Sequence, residues 1–112
     1  MYMRELEDEL FEDLHDEVSG QPGYSDEMLR KKIRQAIKSV KRARNYSGAG
    51  YSIDQIEEDI ENYYSNIRDI ALYDYNIIGA EGESYHYEGG TNRTYIDRRR
   101  LYNGIIPLVV IH

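Results

Sequence analysis

Apolar residues recur along this chain at helical intervals in three places. Leu6, Leu10 and Leu14 stand four apart, with Met3 and Val18 near the same side, on a strongly acidic stretch. That spacing predicts a helix over about residues 3–18, ended by Ser19-Gly20-Gln21-Pro22-Gly23. Ser25 is suited to N-cap the next helix, with Asp26 and Glu27 in its first turn, where acids favour the helix dipole. Leu29, Ile33, Ala36, Ile37 and Val40 form one apolar face, and Lys31, Lys32, Arg34, Lys38, Lys41 and Arg42 lie on the other side. The expected helix runs over about 26–44 and stops at Ser47-Gly48-Ala49-Gly50. Ser52-Ile53-Asp54-Gln55 reads as a capping box for a third helix. Its stripe of Ile53, Ile56, Ile60, Tyr63, Tyr64, Ile67, Ile70 and Ala71 is the longest in the chain. Carried from 53 to about 75, it would span roughly 33 Å. Ile56, Ile60, Ile67 and Ile70 are expected to pack on Leu29, Ile33, Ile37 and Val40.

The pattern stops between Gly79 and Thr94, where glycines 79, 82, 89 and 90 punctuate a polar stretch. A loop of that length in a compact domain is usually functional or mobile. Asp97 is placed to cap a short helix, Arg98 to Tyr102, closed by Asn103-Gly104. The tail from Ile105 to Ile111 is rich in β-branched residues and interrupted by Pro107, which suits an edge or added strand better than a central one. Left bare, such a segment is an aggregation hazard. It either packs on its own domain or docks on a partner, with Ile105, Ile106, Leu108 and Val110 as the contacts, and the docked arrangement is the one expected. The fold class is therefore all-α: one domain over 1–112, a small bundle of three main helices plus a short C-terminal helix, with a long glycine-rich loop and an extended tail.

Composition narrows the chemistry. With 40% apolar or aromatic and 31% charged residues, the chain can build a core and is not a disordered tail. It has no cysteine, which excludes a disulfide scaffold, a thiol nucleophile and cysteine-ligated zinc. No apolar run approaches the roughly 18 residues of a membrane span, and the acidic N-terminus is unlike a secretory leader. Twelve tyrosines against one phenylalanine and no tryptophan suit contact surfaces, where a ring is buried and a hydroxyl stays at a polar edge.

Charge comes in blocks. Residues 1–27 carry ten acids and one base, residues 28–46 eight bases and no acid, residues 47–90 ten acids and one base, and residues 91–112 four bases and one acid. The net charge of −7 argues against an indiscriminate nucleic-acid binder. The basic block on the second helix remains the best candidate for tracking phosphates. The alternative is that it answers the acidic helices, within the chain or across to a neighbour, and the excess of flanking acids favours this.

Candidate catalytic and metal sites are sparse. His15, His86 and His112 have no metal-binding spacing, and His15 reads as a solvated residue near a helix end. Asp8, Asp13, Asp16 and Glu17 could supply an acid–base pair, but acids this dense on a surface helix are usually solvated charge. Gly79-Ala80-Glu81-Gly82 is a poor phosphate loop, because its acid repels phosphate and no lysine follows. No cofactor, metal or catalytic residue is expected.

One stretch carries a resemblance. Leu72-Tyr73-Asp74-Tyr75-Asn76-Ile77-Ile78-Gly79-Ala80-Glu81-Gly82-Glu83, continued by His86, Glu88, Gly90, Arg93 and Tyr95, resembles the C-terminal signature of the phage head–tail connector family of small helical adaptors. Tyrosines flank His86, and Gly89 stands where the family usually has asparagine. The resemblance implies a structural protein that forms a ring below the portal at the capsid vertex. Such a ring extends the DNA channel and docks head-closure or tail proteins. The implied partners are sibling subunits, the portal protein and a tail-side protein; DNA passes through without sequence recognition, and no membrane is involved. The implied location is the virion, with the host cytoplasm before assembly. In that frame Lys31, Lys38 and Arg42 are expected to meet an acidic helix of the next copy. Glu81, His86, Glu88 and Arg93 are expected to contact a sibling or the portal, from a loop that orders on assembly. The competing reading is a small DNA-binding regulator using helix 28–44.

Overall fold

The computed structural model describes residues 2–81 and 98–109, with side chains for 5–77 and 98–109. Among the described residues the chain is all-helical, built on three main helices. Helix α1 runs Tyr2–Val18, α2 Asp26–Arg44, α3 is the single turn Tyr46–Ala49, α4 runs Ile53–Ile60 and α5 Tyr64–Glu81. A 3₁₀ turn, Glu61–Tyr63, joins α4 to α5, and a second 3₁₀ helix covers Arg98–Tyr102.

The caps explain most boundaries. Ser25 Oγ accepts the Met28 N–H at the start of α2. Ser52 and Gln55 close the capping box of α4, with Ser52 N donating to Gln55 Oε1 at 2.8 Å and Gln55 N donating to Ser52 Oγ at 3.2 Å. Helix α2 runs over the expected residues, but its stop is Asn45 rather than the glycines that follow: Asn45 takes the left-handed conformation at φ 62°, which asparagine tolerates better than most residues. The third helix departs from the expectation in two ways. The expected third helix is interrupted by the 3₁₀ turn. Three residues at 3.0 rather than 3.6 per turn rotate the face by only about 60°, within the width of an apolar stripe, so periodicity reads straight across it. Helix α5 also runs on to Glu81 through Gly79, since one interior glycine costs only about 1 kcal/mol.

The core is one cluster drawn from all three main helices. Leu6, Leu10, Leu14 and Val18 of α1 meet Leu29, Ile33, Ala36, Ile37 and Val40 of α2 and Ile60, Ile67, Ile70 and Ala71 of α4 and α5. Ile56 is only half-buried, at the margin of this cluster. The chain measures 50 × 28 × 17 Å, a thin slab in which α1 and α2 each keep one face outward.

The C-terminal 3₁₀ helix sits across α5 and α2. Arg98 donates to both oxygens of Asp74 at 3.0 and 2.8 Å. Asn66 Nδ2 donates to the carbonyls of Leu101 and Asn103, and Tyr102 shares a 2.8 Å hydrogen bond with Ser39. The tail then follows the end of α2 rather than standing free. Leu108 N donates to Arg44 O at 2.8 Å, Arg44 Nη1 to Ile106 O at 2.6 Å and Asn45 Nδ2 to Leu108 O at 3.2 Å. Residues 105–109 form no strand; Ile105 and Leu108 turn onto the core, while Ile106 and Val109 are 69% and 83% exposed. The backbone of these five residues finds its partners at the α2 terminus, in the orphan carbonyl of Arg44, the Arg44 guanidinium and the Asn45 amide.

Candidate assembly interface

The eight cations of the basic block are divided by helical phase. Leu29, Ile33, Ala36, Ile37, Val40 and Arg44 of α2 face the core. Residues on the two flanks reach neighbouring elements, and those opposite the core meet solvent. Arg30 and Arg34 lie on the flank toward α1. Arg30 Nη1 donates to Glu7 at 3.1 Å and Asp8 at 2.9 Å, and Arg34 donates to Glu7 at 3.2 Å. The Arg30 guanidinium also lies 4.1 Å from the centre of the Phe11 ring. Part of the basic block therefore answers the acidic helix within the subunit.

Arg44 falls on the buried face and forms the densest polar cluster. Its Nε and Nη2 donate to the two oxygens of Asp59 at 2.9 and 3.1 Å, and Tyr46 Oη donates to Asp59 Oδ2 at 2.6 Å. The Tyr63 ring centre lies 5.1 Å from the Arg44 guanidinium. Burial works against the Asp59 carboxylate, but the Tyr46 hydroxyl and the Arg44 guanidinium outweigh it and hold its pKa below the usual value. Burial, reinforced by Asp59, pushes the Tyr46 hydroxyl up. A polar recess of about 240 Å³ opens beside this cluster, lined by Tyr51, Gln55, Glu58, Asp59 and Asn62. Asp59 is already committed to Arg44 and Tyr46, so its carboxylate is poorly placed to act as a general base there.

Lys31, Lys38 and Arg42 are exposed, and no described residue pairs with them. With Gln35 they form a stripe directly opposite the core face. On α1 the corresponding outward residues are Glu5, Glu9, Glu12 and Asp16. Among the described residues Glu5, Glu9 and Glu12 form no ion pair or hydrogen bond, and Asp16 pairs only with His15, at 3.8 Å. The remaining α1 acids are used inward: Asp13 accepts from Tyr64 Oη at 2.9 Å and from Arg68 Nε at 3.0 Å, and Arg68 also pairs with Glu17. Burial and Asp13 push the Tyr64 hydroxyl up to about 12.

Of the other sequence-predicted contact residues, Ile105, Ile106 and Leu108 are not part of this stripe. Glu81 is the last residue of α5. Ile105 and Leu108 pack against the core and Ile106 points outward. His86, Glu88, Arg93 and Val110 lie outside the described residues, as do Asp97 and most of the stretch from Gly79 to Thr94. Several of the described tyrosines serve the fold. Tyr46 and Tyr75 are buried, and the hydroxyls of Tyr46, Tyr64, Tyr75 and Tyr102 all bond within the chain. His15 is wedged between Phe11 and Tyr24, with ring centres 5.5 and 5.4 Å away, rather than fully solvated. Among the described residues no three His, Asp or Glu side chains gather as a metal site, and no helix is long and apolar enough to cross a membrane. The Arg44–Asp59–Tyr46 cluster was missed by sequence reasoning. Its signal was the phase of Arg44, four residues past Val40 on the apolar face.

Compared with known proteins, the chain matches no protein-family model, no curated protein and no solved structure.

Proposed function

We propose that this chain is a structural assembly subunit of the head–tail connector type, working as a ring between a portal and a head-closure or tail protein. The observation that carries the reading is the pair of outward faces of opposite charge on two different helices, α1 and α2. A head-to-tail contact that closes into a ring needs two unlike, complementary surfaces on each subunit. The resemblance over residues 72–95 supplies the rest: the portal and tail-side partners, DNA passing unread through the channel, and residence in the virion. By that resemblance alone, the stretch from Gly79 to Thr94, with Glu81, His86, Glu88 and Arg93, is assigned to subunit or portal contacts and orders when they form. The exposed Ile106 and Val109 give the tail an apolar outer edge for a further partner.

Sedimentation velocity and negative-stain microscopy of the concentrated protein at low salt test the reading. Closed rings are expected; a chain that remains monomeric throughout overturns it. The same cationic stripe also favours a second reading, a small DNA-binding protein. That reading requires duplex affinity that falls steeply with salt, whereas a channel subunit binds duplex DNA weakly or not at all.

A further inference from the structure

The two outward stripes share one spacing. Glu5, Glu9, Glu12 and Asp16 on α1, and Lys31, Gln35, Lys38 and Arg42 on α2, both follow intervals of four, three and four residues. Each stripe covers about 16 Å of helix. Each also lies opposite its own helix's core face, so the two stripes cannot meet within one subunit.

We propose that the Lys31–Lys38–Arg42 stripe of one copy docks lengthwise on the Glu5–Glu9–Glu12–Asp16 stripe of a second copy, helix against helix. This deepens the ring reading and rests on it. Three cations meet three of the four carboxylates at matched heights, and the amide of Gln35 faces the fourth. A second copy is favoured over a nucleic acid because it answers both stripes at once. A duplex would engage only the cations of α2 and leave the carboxylates of α1 unanswered. Exposed ion pairs are individually weak and screened by salt. The contact is therefore reversible in the free protein and gains strength when several subunits are held together.

The spacing reads the same from either end, so it permits two directions. Parallel helices pair Lys38 with Glu12, and antiparallel helices pair Lys38 with Glu9. Reversal of Lys38 rescued by E12K and not by E9K, or the converse, reports which direction forms.

The decisive experiment mixes two reversed chains. K31E/K38E/R42E has two acidic stripes, and E5K/E9K/E12K/D16K has two basic ones. Each alone should keep the helical circular dichroism of the parent and self-associate about 100-fold more weakly. An equimolar mixture should regain the parent's association at low salt, since every junction again joins opposite charges. A control with the same charge change on cations outside the stripe, K32E/K41E/R100E, should stay within about threefold of the parent. Reversed chains that fold and still form rings alone, or a mixture that is not rescued, overturn the stripe contact while leaving the ring reading standing. A parent chain that never associates overturns both. Loss of duplex binding in K31E/K38E/R42E, with no rescue in the mixture, assigns the stripe to nucleic acid instead.

Discussion

Arg44 and Arg42 stand two residues apart on one helix and are used in opposite ways. Arg44 lies 9% exposed among Asp59, Tyr46, Tyr63 and the Ile106 carbonyl, while Arg42 is exposed and has no partner among the described residues. The difference is one of phase. A step of two residues turns an α-helix by about 200°, so one guanidinium enters the interior and the other leaves it. A run of eight basic residues is thus not one surface. Arg30, Arg34 and Arg44 pair within the fold, and Lys31, Lys38 and Arg42 have no partner among the described residues.

The largest test of this contrast is R44A. Removing the guanidinium leaves the Asp59 carboxylate short of its partner and releases the tail carbonyl, and should cost about 3 kcal/mol in urea unfolding. A loss near zero would place Arg44 with the outer stripe. The double change R44M/D59L should recover part of that loss, because neither charge is then left alone.

Acid provides the next test. The folded pKa of Asp59 lies below its unfolded value of about 3.9. Its stabilising contribution is therefore present above that value and is lost as pH falls through the folded pKa. Chemical denaturation between about pH 6 and 2 should show a shallower decline for D59N than for the parent, from a lower starting stability.

N45A should cost about 1 kcal/mol, because alanine is strained at φ 62° and cannot donate to the Leu108 carbonyl. N45G should lose less, since glycine meets the conformational demand and forfeits only the amide. Equal losses would show that the hydrogen bond to the tail, not the backbone, sets the cost.

The smallest effect on stability is expected from the outer stripe itself. K31E/K38E/R42E should move the unfolding free energy by under about 0.5 kcal/mol, as for other exposed charges. A larger loss would mean that these side chains also hold the monomer.

Much of the bundle was legible because burial and period coincide. Leu6, Leu10 and Leu14, the α2 face and Ile60, Ile67 and Ile70 were readable as core, and Ser25 and Ser52 as caps. Features that depend on backbone conformation or on distant partners were not. Nothing in local pattern marks Asn45, rather than the nearby glycines, as the residue that turns left-handed. The 3₁₀ turn at Glu61–Tyr63 is too short to disturb the stripe. Arg68 reaching Asp13 and Glu17 from 51 or more residues away is a product of helix packing. The outer stripes were half legible. The cations of α2 could be sorted from its apolar face, but which acids of α1 were already occupied depended on where α2 and α5 lie against it.

The anchoring of residues 98–109 has a consequence for the stretch that joins them to α5. This segment is fastened independently at Asp74, Asn66, Ser39, Arg44 and Asn45, so its position does not depend on the path of the chain between Glu81 and Arg98. The loop-closure entropy of a connection grows only with the logarithm of its length. Doubling it would cost about 0.6 kcal/mol, less than the expected loss from N45A. The tail should therefore stay seated at the end of α2 even in a variant whose connection between Glu81 and Arg98 is lengthened.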